Sequence, residues 1–92
     1  MVGSTAGDAL ASESLNRLAE LMKALGHPVR MALARDLTAA PQRVTELQQR
    51  LSLAQSTLSE HLKVLRESGI VTPARGHSKA YTADPEVLDW LV

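Results

Sequence analysis

Residues 45–66 read TELQQRLSLAQSTLSEHLKVLR, and the spacing of the leucines in this stretch decides the fold. Leu47 and Leu51 lie one helical turn apart, and Leu58, Leu62 and Leu65 follow at i, i+4 and i+7, which places each set on one stripe of an α-helix. Only Ser52, Leu53 and Ala54 separate the two sets, so the reading is two short helices joined by a tight turn. Thr45 and Gln48 stand in capping-box spacing and mark the start of the first. On the second, the leucine stripe leaves Gln55, Ser56, Thr57, Ser59, Glu60, His61 and Lys63 free, a face rich in hydrogen-bonding groups. Such a helix suits the major groove of duplex DNA, where base edges present distinct donor and acceptor patterns. Ordinary solvated helices carry similar residues, and spacing alone does not separate the two readings.

Upstream, Ala11, Leu15, Leu18, Met22 and Leu25 alternate steps of four and three, an amphipathic helix that Gly26 ends. Leu21 and Ala24 widen its apolar stripe beyond what one small core requires, and a subunit interface is a natural use for the surplus, with core packing as the other. Leu15, Leu18, Leu21 and Met22, with Leu88, Trp90 and Leu91 near the terminus, are the interface candidates. His27-Pro28 restarts the chain as a helix with Val29, Leu33 and Leu37 inward, and the run from Thr38 to Pro41 breaks it.

Downstream, Gly69 ends the polar-faced helix, and Ile70 to Arg75 and Lys79 to Thr82 read as short strands around a Gly76-His77-Ser78 turn, the wing. Asp84 caps a last helix opened by Pro85, with Val87, Leu88, Trp90 and Leu91 as its apolar contacts. The expected fold is mainly α with a small β-hairpin wing, a winged helix-turn-helix in the order four helices, two strands, one helix. Residues 1–8 are expected to form a flexible N-terminus and 9–92 one domain for DNA binding and dimerisation.

Net charge is zero, but its distribution is uneven. From His27 to Ala54, Arg30, Arg35, Arg43 and Arg50 oppose Asp36 and Glu46; from Gln55 to Thr82, Lys63, Arg66, Arg75 and Lys79 oppose Glu60 and Glu67. A basic middle is thus flanked by acidic ends, consistent with a polyanionic partner or with ordinary surface scatter. Cysteine is absent, which removes disulfides, thiolate metal ligands and a Cys nucleophile. No signal-peptide pattern or membrane-length apolar run is present, so the expected compartment is the cytoplasm.

Two strings, LGHPVR at 25–30 and LAQSTLSEHLKVLRESGIV at 53–71, together with Arg75, Gly76 and Tyr81 in the wing, resemble the ArsR-type (ArsR/SmtB-like) winged-helix repressors. The resemblance covers nearly the whole chain. It implies a sequence-specific, double-stranded-DNA-binding transcriptional repressor, a homodimer built on the first and last helices and acting on a pseudo-palindromic operator. It further implies a groove-facing set of Gln55, Ser56, Thr57, Ser59 and His61, with Lys63 and Arg66 toward phosphates and Arg75, His77 and Lys79 as wing contacts. For His61 an interior or backbone-bonded role is the alternative, and for the wing residues plain solvation. Arg30 reads equally as a DNA-backbone contact or a helix-start ion pair.

Two positions depart from the family pattern. Glu60 stands where Arg is frequent, and a carboxylate opposes phosphates while accepting from a cytosine amino group. Ala54 replaces the usual N-cap serine, a loss worth about 1 kcal/mol unless Ser52 or Ser56 takes over the cap. Many relatives sense metals through Cys clusters or through His and carboxylate ligands on the last helices. Here the thiolates are missing, the last helix has no histidine, and His27, His61 and His77 fall on separate elements. The expectation is therefore no metal site, no cofactor and no membrane partner. An enzyme is not expected, since there is no phosphate-cradling loop and no Ser, His and Asp grouping. A protein-binding winged helix that docks a partner on the same face is the rival reading.

Overall fold

In a computed structural model the described residues are 5–76 and 79–89, including the side chains of all these except 5–11, 87 and 88. The elements are α1 (Thr5–Leu25), α2 (Pro28–Ala39), β1 (Gln42–Arg43), α3 (Val44–Leu51), α4 (Gln55–Glu67), β2 (Val71–Pro73), β3 (Ala80–Ala83) and α5 (Pro85–Asp89). The architecture is mainly helical with a small antiparallel hairpin. The start of α1 lies within the segment 1–8 set apart in the sequence.

The expected element order was incomplete. Gln42–Arg43 forms a strand, and the sheet is three-stranded in the order β1-β3-β2, antiparallel throughout, with Gln42 opposite Tyr81 and Val71 opposite Ala83. The helix expected from Asp84 to the chain end is a five-residue segment, Pro85–Asp89, with 90–92 outside the described residues. Its start is capped as expected, the Glu86 N–H donating to Asp84 Oδ1 at 3.0 Å.

Local chemistry explains where the helices turn. Pro28 sits in the first turn of α2, and the His27 ring caps it, Nδ1 accepting from the Val29 N–H at 3.1 Å. At the other end the Ala40 N–H and Gln42 Nε2 both donate to the Asp36 carbonyl, satisfying an otherwise unpaired group while leading the chain into β1. Helix α3 starts earlier than the Thr45 and Gln48 spacing indicated. Its N-cap is Arg43, and the Glu46 carboxylate accepts from the Arg43 N–H at 3.1 Å, so the capping pair is Arg43 and Glu46. Ser52 turns the chain toward α4 in the left-handed conformation, φ 54°. Gly69 does the same after α4 at φ 81°, where a side chain is strained, and the Ile70 N–H closes back on the Leu65 carbonyl at 3.0 Å.

One core gathers these elements. Leu33 and Leu37 of α2, Leu47 of α3, Leu58 and Leu65 of α4 and Ile70 and Val71 at the hairpin are all fully buried, with Leu21 and Leu25 of α1 and Ala83 of β3 completing the cluster. The leucine stripes read from the sequence are therefore the faces that meet. Leu21 requires a correction: expected at a subunit interface, it is 5% exposed and belongs to this core.

Candidate nucleic-acid interface

With Leu58, Leu62 and Leu65 anchoring one side of α4, its opposite side is left in solvent. Gln55, Ser56, Thr57, Ser59, Lys63 and Arg66 are all exposed, as is Glu60. Gln55 and Ser59 form one wall of a groove of about 620 Å³. The other walls come from Arg43, Thr45 and Gln48 around α3 and from Lys79 and Tyr81 at the wing. The groove is open, with Arg43 and Lys79 on two sides, which suits a charged, extended ligand such as a nucleic-acid backbone better than an enclosed small molecule.

Thr45 and Gln48 gain a different part from the one first read. Because α3 begins at Val44 and buries Leu47, both are left on its groove side, and neither side chain takes part in the N-cap. Arg43, Thr45, Gln48 and Tyr81 are the polar lining residues that sequence reasoning missed. The signal for the first three was present in the complement of the Leu47 and Leu51 stripe.

The wing is rooted in α3. The Val44 N–H donates to the Lys79 carbonyl at 3.3 Å, so the first residue of α3 shares a main-chain bond with the turn end of the hairpin, which the Ala74 N–H closes on the Ala80 carbonyl at 3.0 Å. Arg75 and Lys79 are exposed near the hairpin turn, where Gly76 has φ 75° and Lys79 φ 57°. His77, the third expected wing contact, lies outside the described residues, as do Trp90 and Leu91 and the side chain of Leu88. Arg66, expected at phosphates, sits with its guanidinium 5.9 Å from the centroid of the Tyr81 ring, tying α4 to β3 through a cation–π contact.

His61 departs from the groove-facing set. It is half-buried on the side of α4 that meets α2, its ring centroid 4.4 Å from that of His27. Burial first, then His27 and Arg30, hold its imidazole below the ordinary 6.5, with Glu60 acting in the opposite sense. Arg30 forms no ion pair among the described residues. Its Nε donates to the Ala24 carbonyl and Nη2 to that of Lys23, placing a cation at the C-terminal end of α1. Ala54 is the N-cap of α4 with no side-chain hydrogen bond, so neither Ser52 nor Ser56 replaces the missing hydroxyl. On α1, Leu15 and Met22 are 65% and 55% exposed while Leu18 is half-buried, leaving apolar surface on the solvent side.

Among the described residues no three or more His, Cys, Asp or Glu side chains gather as a metal site would require, and no helix is long and apolar enough to cross a membrane. The family described as "Helix-turn-helix domain" matches residues 25–74, from the end of α1 through β2. The chain is similar to the biofilm growth-associated repressor of Xylella fastidiosa, 48% identical over 60 residues that cover 65% of this chain and 53% of that protein. It is also similar to the HTH-type transcriptional repressor SmtB of Mycobacterium tuberculosis, 40% identical over 63 residues covering 68% of this chain and 47% of the relative. The chain thus spans about half the length of the curated relatives it matches. Among solved structures, the transcriptional repressor BigR from Xylella fastidiosa superposes with a TM-score of 0.76 at 35% identity, covering 91% of this chain and 85% of that one. These relatives are transcriptional regulators, not enzymes.

Proposed function

Because the chain belongs to the ArsR/SmtB-type helix-turn-helix repressors, we propose that it is a cytoplasmic transcriptional repressor that binds double-stranded DNA sequence-specifically, as a homodimer on a pseudo-palindromic operator, without a cysteine-based metal-sensing site. The observation that carries this reading is the row Gln55, Ser56, Thr57, Ser59 and Lys63, wholly solvent-facing on a helix whose other side is locked into the core. Side chains of these types hydrogen-bond to base edges from a helix in the major groove, while Lys63, Arg75 and Lys79 lie where flanking phosphates would pass. The sequence contains no cysteine, so an inducer that requires a thiolate has no ligand in this chain.

A mobility-shift titration against the DNA upstream of the chain's own gene, run over a salt series, tests the assignment. Affinity falls with salt as condensed counterions are released, and Lys63→Ala and Arg75→Ala each weaken binding to all sequences alike and lower the salt slope by about 1. Unchanged binding and slope in both variants moves the contact surface elsewhere.

Exposed Leu15 and Met22 on α1 support the dimer, since a partner helix would remove both from water. Sedimentation of the purified protein is expected to give a dimer, and Leu15→Glu with Met22→Glu to give a monomer that has lost affinity for the two-half-site operator. A monomeric wild type that still binds the palindrome at full strength contradicts it.

A further inference from the structure

The face of α4 turned away from the groove is held by a contact that base reading does not use. His61 packs against His27 with ring centroids 4.4 Å apart and planes inclined by 43°. His27 is itself committed, because its Nδ1 accepts the Val29 N–H at the start of α2. That bond needs a lone pair on Nδ1, which fixes the ring at the start of α2. The two rings meet where the start of α2 packs on α4. A proton on His61 sets a cation against the His27 ring and near Arg30.

We propose that His27 is a positioning residue for the recognition helix: the His27–His61 contact is a lock that seats α4 on α2, closed while His61 is neutral and released when His61 takes up a proton. Its consequence for DNA rests on the reading of α4 as the groove-inserted helix. From α2, His27 and Arg30 act on His61; from α4 itself, Glu60 does. The end of α1 meets Arg30 with the Ala24 and Lys23 carbonyls. Since His61 sits below 6.5 in the folded chain, the unfolded chain binds the proton more tightly. The stabilisation is therefore complete above about 6.5 and is lost as the pH falls through the lower, folded-state value.

The test is an NMR titration of the isotope-labelled, DNA-free protein from pH 8 to 5. The His61 ring is expected to titrate below 6.5, and the backbone amides of residues 55–67 to shift with the same midpoint. In His27→Asn, where the side-chain oxygen retains a cap but no second imidazole remains, both midpoints move up toward 6.5. A His61 midpoint that ignores this substitution overturns the proposal. So do α4 amides that stay still while the ring titrates in the wild type, a comparison that needs no variant to fold. Operator binding at pH 8, with the lock closed, is scored separately. Its absence refutes the DNA reading and leaves the titration to decide the lock, whereas binding by a protein whose α4 is silent to pH refutes the lock alone.

Discussion

Leu58→Ala is expected to lower the stability of the fold by about 2–5 kcal/mol, the range for removing a fully buried leucine and leaving a partly collapsed cavity. Leu58 is 0% exposed and packs on the inner side of α4, within the cluster that joins α2, α3 and the hairpin. A small domain stands only about 5–15 kcal/mol above its unfolded state, so this one change removes a large share of the margin. Urea unfolding at fixed protein concentration measures it, since a dimer's apparent stability depends on concentration. The midpoint is expected to drop with little change in slope. Thr57 and Ser59 flank Leu58 in sequence yet face solvent. DNA affinity of the variant should accordingly fall only as far as the folded fraction falls. A loss below about 1 kcal/mol would mean that Leu58 is not at the centre of the packing, against the typical cost of such sites.

Gln55→Ala is expected to weaken binding to the preferred operator by about 1–3 kcal/mol, the discrimination a well-placed side chain exerts at one base pair. It should leave affinity for scrambled DNA and the salt slope nearly unchanged, because Gln55 carries no charge to exchange with a counterion. Ser59→Ala acts one turn further along the same wall of the groove and is expected to relax a neighbouring base position. Competition between cognate and scrambled duplexes reads both effects. A uniform loss across all sequences would assign these residues to the phosphates and move sequence reading to Thr57 or to α3.

The leucine stripes of α3 and α4, the polar face between them and the hairpin that follows Gly69 were all legible because each is a local pattern. Burial of Leu47, Leu58 and Leu65 follows from a repeat of about 3.6 residues, which one stretch of chain expresses by itself. What stayed hidden depends on distant partners. Gln42 and Arg43 are too few to show any period, and they become a strand only because β3 offers them main-chain bonds. The Thr45 and Gln48 pair satisfied a spacing rule, but Glu46 reaches the Arg43 N–H and starts the helix earlier. His27 and His61 lie far apart in sequence, so nothing nearby announces that their rings meet. Leu21 and Leu15 belong to one broad apolar stripe, and only the position of the other helices decides that the first is interior and the second is not.

The bond from the Val44 N–H to the Lys79 carbonyl, with the pairing of β1 and β3 beside it, is made entirely by the backbone. Amino-acid replacements in the wing therefore leave its footing on α3 intact as long as the chain path is kept. Whatever separation a repressor of this build demands between bases and flanking phosphates is a fixed gauge of the scaffold. New operator preferences can be written onto such a frame by exchanging the outward side chains, without rebuilding the brace beneath them.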